Sequence, residues 1–240
     1  MRSALAVFRR ELRSALNTAP AYIFAAFFLA ASAAWLFLAR GFFIRGEASL
    51  RPYFEVMPAL FAVLLPALTM RSWAEEKRSG TYEILATLPL SPGELVLGKH
   101  LAVMTVTGAV LVLSFSVPLS LAGLGNFDPG VLATEYLGAL VLASACAALG
   151  QYISSRSRNP SGAYLGTSAL LLALSAIHRV PLVLNVPSLI STALVWFSPA
   201  SHFESFSRGI LDSRDLVYFG IVTAGGLYLA AKALVREAWK

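Results

Sequence analysis

Charge is what this sequence has least of. Asp, Glu, Lys and Arg make up 13% of its 240 residues, where an ordinary soluble domain carries about 25%. With 57% hydrophobic residues and a mean hydropathy of +0.69, the chain cannot clothe a water-soluble surface. It is read as an integral membrane protein. Cysteine is nearly absent too. Cys146 stands alone, which rules out an internal disulfide and leaves the redox compartment open. The three histidines, His100, His178 and His202, lie far apart. None has a partner at a metal-ligand spacing. No apolar run carries paired carboxylates, as a proton relay would. No run presents a ring of like charges, as an ion channel would. The stretch Arg2 to Arg13 is too charged for a cleavable signal peptide, and no short apolar core with a cleavage site follows it.

What the sequence does have is long apolar runs. Runs near 20 residues satisfy their own backbone in lipid only as helices. The expected fold is therefore all-α: a polytopic membrane protein with one transmembrane domain over residues 1–240. The runs are Ala21–Ala39, Tyr53–Met70, Leu95–Gly123, Glu135–Ile153, a fifth opening at Asn159-Pro160, and Leu216–Leu234. Pro58 and Pro66 fall in the second run. They free backbone carbonyls that neighbouring helices or side chains must satisfy, and they act either as plain kinks or as flexing points. The section after Ile177 is ambiguous. Val180–Phe197 is apolar but broken by Pro181 and Pro187 and preceded by His178-Arg179. A seventh span and a re-entrant hairpin from the outside both fit, and the count of Lys and Arg in the loops hardly separates them. The hairpin is preferred, because Arg179 and the prolines suit broken helix.

The net charge of +6 suits the basic cytoplasmic flank of membrane helices better than nucleic-acid binding. Leu5, Phe8, Leu12 and Ala15/Leu16 line one face of Met1–Leu16, with Arg9, Arg10 and Arg13 off it. That pattern predicts a helix lying in the headgroup region; a plain basic flank is the alternative. Two small-residue surfaces stand out. Ala143 to Ala148 predicts close helix packing, and Gly162-xxx-Gly166 predicts either a subunit contact or an ordinary crossing within the chain.

Arg71–Leu101 lies between the second and third runs, and most of its charge falls in two clusters. Glu75, Glu76, Lys77 and Arg78 read as a solvated block, broken by Ser79 and Gly80. Thr81–Leu88 places Tyr82, Leu85 and Leu88 on one helical stripe. Glu83 sits in the first turn, where the helix dipole favours an anion, and Pro89 stops the helix. Ser91-Pro92-Gly93-Glu94 then has the parts of a capped restart. The result is a rigid elbow at a membrane surface, which another protein is expected to grip. A solvated loop with a short interfacial helix is the plainer reading.

Gly93 to His100 nearly matches the phosphate-binding loop G-x-x-x-x-G-K-[ST]. His100 replaces the Ser or Thr that would hold magnesium, a helix cap rather than a strand precedes it, and its middle is Leu-Val-Leu helix. No nucleotide site is expected in this chain. An intramembrane hydrolase would need a pair such as His178 with Ser175 or Ser168, and serines are ordinary helix-packing residues in membranes.

Glu76-Lys77-Arg78-Ser79-Gly80-Thr81, Glu83-Ile84-Leu85 and Thr87-Leu88-Pro89-Leu90-Ser91, continuing to Gly98-Lys99, resemble the signature of ABC-2 type permeases, the membrane subunits of ATP-driven exporters. Ser198 to Asp212, followed by Arg214-Asp215, is similar to the gliding-motility-associated permeases within that group. The resemblance implies six spans, an amphipathic N-terminal helix, a cytoplasmic coupling helix between spans 2 and 3, and a re-entrant outer segment before span 6. It implies a bacterial inner-membrane location with both termini cytoplasmic. The implied partners are a cytoplasmic ATPase subunit that carries the ATP and magnesium, and a second permease subunit, identical or related. A periplasmic-domain auxiliary subunit and membrane lipid are further implied partners. On that resemblance the coupling residues are Glu76, Arg78, Gly80, Thr81, Glu83, Leu85 and Pro89, with Gly80 giving a tight turn into the helix, Arg78 and Glu83 charged contacts, and Leu85 an apolar plug for the ATPase groove. The rival from another class is a membrane scaffold or anchor of a motility or secretion complex that transports nothing.

Overall fold

A computed structural model describes residues 2–45, 49–87, 90–125, 127–183 and 187–238. Its described elements are all helical, and six helices are long and apolar enough to cross a membrane. They are span 1 (Ala19–Ile44), span 2 (Met57–Arg78), span 3 (Pro92–Leu121), span 4 (Pro129–Arg156), span 5 (Pro160–Arg179) and span 6 (Ser213–Glu237). An amphipathic helix, Arg2–Leu16, precedes them.

Local chemistry sets the starts. Pro20, Pro92, Pro129 and Pro160 each stand in the first turn of a span, where the missing N–H costs nothing and φ is already helical. Ser91 and Glu94 form the expected capping box, and Asn159 caps span 5 from its side chain. Span 4 begins at Pro129, earlier than the expected Glu135. Asp128 accepts the Gly130 N–H and opens the helix inside what the composition marks as loop.

Span 4 is the centre of the bundle and packs against spans 2, 3, 5 and 6. Ala143, Ala145, Cys146, Ala147 and Ala148 are all buried, as the small-residue run predicts. The closest approaches use glycine. A Cβ on Gly150 would lie 2.3 Å from Thr69 Oγ1 of span 2, and one on Gly138 would lie 2.5 Å from Phe206 Cβ. Gly226 of span 6 approaches the Ala148 backbone less closely, where an added Cβ would lie at 3.0 Å. Gly162 and Gly166 make no such approach. They are exposed, and a Cβ there would meet only ordinary contacts at 3.5 Å or more. The pair is therefore not a close crossing within this chain.

Span 2 is two helical pieces, Met57–Thr69 and Arg71–Arg78. Pro58 sits at its start, so only Pro66 lies inside a helix. The break at Met70 is bridged from span 4. Ser154 Oγ donates to the Met70 carbonyl at 3.0 Å and accepts from the N–H groups of Trp73 and Ala74 at 3.1 and 3.2 Å. A neighbouring helix thus satisfies the backbone that the interruption frees. Ser154→Ala leaves three buried backbone groups unpaired. We expect it to lower unfolding stability in detergent by about 1–3 kcal/mol, whereas Ser155→Ala, which loses only a bond to the carbonyl three residues back, changes it by less than about 1 kcal/mol.

After span 5 the chain folds back. A 3₁₀ turn (Ile177–Arg179) leads to a short helix, Val180–Val183, then Ser188–Phe197 and Pro199–Ser207. Ten residues rise about 15 Å, half the ~30 Å hydrocarbon core, so Ser188–Phe197 is no seventh span. His178 Nδ1 lies 3.1 Å from Ser198 Oγ, so both ends of this segment meet. His202 then pins the next helix to span 6. Its Nδ1 is 2.6 Å from Asp215 Oδ1 and its Nε2 2.8 Å from the Trp196 carbonyl, with its ring stacked on Tyr218 at 3.9 Å. Asp215 itself is buried.

Candidate functional site

The elbow lies at the bundle end that also carries the amphipathic helix and the last turn of span 6. Gly80 adopts φ +73°, the left-handed conformation that lets a glycine end one helix and open the next at no steric cost. Ser79 caps the first helix by donating to the Glu75 and Glu76 carbonyls. The elbow helix then runs Thr81–Thr87, with Glu83 in its first turn. Leu88 and Pro89 lie outside the described residues.

This helix has two different faces. Leu85 is buried, with Tyr82 beside it, against Trp73, Leu95, Val96 and Leu234. Tyr82 also donates its hydroxyl to the Leu234 carbonyl at 2.8 Å. Burial, and then the carboxylates of Glu237 and Glu76, push the Tyr82 phenol above its ordinary pKa. Arg78, Gly80, Thr81 and Glu83 are exposed. Of the residues expected to meet a partner, these four present themselves, while Leu85 faces the chain's own core and anchors the helix.

The expected solvated block is only half solvated. Glu75 and Arg78 are exposed, but Glu76 and Lys77 turn inward. Lys77 Nζ reaches the Ser155 carbonyl at the end of span 4 and the Glu237 carboxylate at the end of span 6. Lys99 of span 3 has a side chain only 4% exposed. It sits 2.8 Å from Glu76 Oε1 and 3.1 Å from Glu11 Oε1 of the amphipathic helix, and 4.8 Å above the Trp73 ring. Arg10 adds a longer pair to Glu76 at 3.9 Å. Two ammonium groups thus tie the last turns of span 2 to the amphipathic helix and to spans 3, 4 and 6.

The amphipathic helix docks by a face the periodicity did not mark. Val7 is buried over Gly98, where an added Cβ would lie 2.8 Å from Val7 and 2.9 Å from the Ala4 carbonyl. Leu5 and Leu16 of the predicted stripe stay exposed, as a helix half-sunk in lipid requires. Lys99, Lys77, Glu11 and Ser154 were missed as site residues. For Lys99 a signal existed: a lone cation at the head of an apolar run demands a partner. The stretch resembling a phosphate-binding loop, Gly93–His100, is unbroken helix, with its lysine consumed by Glu76 and Glu11. Among the described residues, no three His, Cys, Asp or Glu side chains are placed to hold a metal ion.

A family model described as ABC-2 family transporter protein matches residues 48–230, from the approach to span 2 through most of span 6. No curated protein matches the chain. A six-span helical bundle with a charged elbow between spans 2 and 3, matched over most of its length, places this chain in the ABC-2 transporter family, as a membrane permease of an ABC transporter.

Proposed function

We propose that this chain is the permease subunit of an ABC exporter in a bacterial inner membrane, driven from the cytoplasm by a separate ATPase subunit that seats on the elbow. The observation that carries this reading is the two-sided elbow helix. Thr81 and Glu83 are exposed on it, next to the exposed Arg78 and Gly80 of the turn that leads in, while its other face is locked into the bundle through Tyr82 and Leu85. A helix held that way transmits a push instead of absorbing it.

ATP and magnesium sit on the partner in this reading. ATP binding closes two ATPase subunits, and each elbow moves with its own as a rigid body. The Lys77 and Lys99 pairs carry that displacement to spans 3, 4 and 6 and the amphipathic helix, and the bundle shifts between inward-accessible and outward or closed states. Both termini are cytoplasmic, and the folded-back segment before span 6 is re-entrant from the outside. A second permease subunit packs on the exposed Gly162–Gly166 side of span 5, where an added Cβ would meet nothing nearer than 3.5 Å among the described residues. The likeness of Ser198–Asp212 to the gliding-motility-associated permeases adds an auxiliary subunit with a periplasmic domain.

The test is purification of the tagged full-length chain from its native membrane. We expect a soluble subunit bearing a true phosphate-binding loop to come with it, with an ATPase rate that falls when the elbow is altered. A complex without such a subunit, or one whose ATPase ignores the elbow, would leave the scaffold reading in its place.

A further inference from the structure

At the end of the bundle opposite the elbow lies a cavity of about 450 Å³, between the ends of spans 1, 2 and 5 and the helix Pro199–Ser207. That volume is within the range of small-molecule sites, roughly 300–1,000 Å³. Its walls are unusually cationic. Glu55 is divided between Arg40, at 2.5 Å, and Arg51, at 3.8 Å. Glu204 is divided between Arg51, at 3.5 Å, and Arg208. Arg179 lines the same cavity, is exposed, and has no ion pair among the described residues. Three guanidinium groups therefore share two carboxylates, and a fourth, that of Arg179, pairs with neither among the described residues.

The hydrogen-bond balance leans the same way. Trp35 Nε1, Arg40 Nε and Arg51 Nε are buried with no acceptor, and all three belong to residues lining this cavity. The Arg40 guanidinium lies over the Trp35 ring, 5.2 Å from its centre, which fixes both. Indole and guanidinium nitrogens only donate. Those three atoms are sealed from the cavity itself; it is the other N–H groups of the lining Arg40, Arg51 and Arg179 that call for acceptor oxygen there.

We propose that this cavity binds an oxyanion of the phosphate class, a phosphomonoester or phosphodiester. Guanidinium forks match its oxygens two at a time. The incoming anion takes Arg179 outright and draws Arg40 and Arg51 away from carboxylates that each already serve two cations. Leu172, Pro58 and Phe203 give an apolar wall for whatever the phosphate is esterified to. The source is either a phospholipid headgroup or a soluble phosphate. The site does not depend on the elbow having an ATPase partner.

The experiment compares the full-length chain, delipidated in neutral detergent, with Arg179→Gln, whose lost side chain holds no ion pair among the described residues. Arg214→Gln, outside this cavity, is the control. Inorganic phosphate is followed by the rise of the melting temperature, since a ligand of the folded state stabilises it. Phosphatidylglycerol and diacylglycerol are compared by native mass spectrometry. We expect Arg179→Gln to weaken binding of an anionic probe about tenfold, the loss of one charge-assisted contact, and Arg214→Gln to match the wild type. Saturable, Arg179-dependent stabilisation by phosphate supports a soluble ligand. Arg179-dependent retention of phosphatidylglycerol alone supports a headgroup. If phosphate gives no Arg179-dependent stabilisation, and phosphatidylglycerol is held no better than diacylglycerol or no better by the wild type than by Arg179→Gln, the assignment is overturned.

Discussion

Lys99→Met is expected to cost about 3 kcal/mol or more of stability, because it strips the cation from Glu76 and Glu11 while leaving both carboxylates in place. The Lys99 side chain is 4% exposed and that of Glu76 12%. Removing one member of so covered a pair leaves an uncompensated charge, which is where the large penalty arises. Glu76 is already short of partners, since its Oε2 is buried with none. Methionine keeps the stem over Trp73, so the loss reports on charge, not on packing. The check is a double-mutant cycle in detergent unfolding. Adding Glu76→Gln to Lys99→Met should recover most of the loss, because the second change removes the stranded anion. Equal losses in the single and double variants would deny that Lys99 holds the elbow through Glu76. In transport, Lys99→Met should lower substrate movement per ATP hydrolysed more than it lowers ATP hydrolysis, since the tie from span 2 to span 3 and the amphipathic helix is cut above the partner's own chemistry.

Glu83→Lys acts at the other end of the same lever. Glu83 is exposed and has no partner among the described residues, so its reversal should leave the fold and membrane insertion unchanged. If the ATPase grips this face, the carboxylate meets a cation in the complex. Reversing it there should weaken ATPase retention about thirtyfold or more, as for a charge lost from a closely paired interface, and abolish transport to the same degree. Glu83→Gln should fall between. Full transport by Glu83→Lys would remove Glu83 from the coupling role.

Much of this architecture was legible in the residues. Apolar length marks each span, since a backbone in lipid has few alternatives to helix. Ser91-Pro92-Gly93-Glu94 sets its own restart through bonds three residues apart. Gly80 sits where a left-handed turn is needed, and Pro181, Pro187 and Arg179 favour broken helix after Ile177 over a full crossing. What stayed hidden depends on distant partners. Nothing local tells that Lys77 will find Glu237, 160 residues on, or that Ser154 will clasp a backbone break 80 residues earlier. Leu85 and Val7 illustrate the same limit. A helical stripe shows that a face is apolar, but lipid, a partner and the chain's own core all accept it. The amphipathic helix leaves Leu5 and Leu16 of its stripe exposed and docks by Val7, while the elbow helix buries Leu85 in the core. The charges of residues 75–78 divide similarly, since helix geometry turns Glu76 and Lys77 inward and leaves Glu75 and Arg78 outside.

The most direct measurement places a photo-crosslinking residue at position 83 in the full-length chain, in its native membrane, with a second variant labelled at Ile210. Ile210 is exposed at the opposite end of the bundle and serves as the reference. We predict an adduct from position 83 whose added mass is that of a nucleotide-binding subunit and whose yield changes with ATP, and no such adduct from position 210. No ATPase adduct at 83, or one formed equally well from 210, would contradict an elbow worked from the cytoplasmic side.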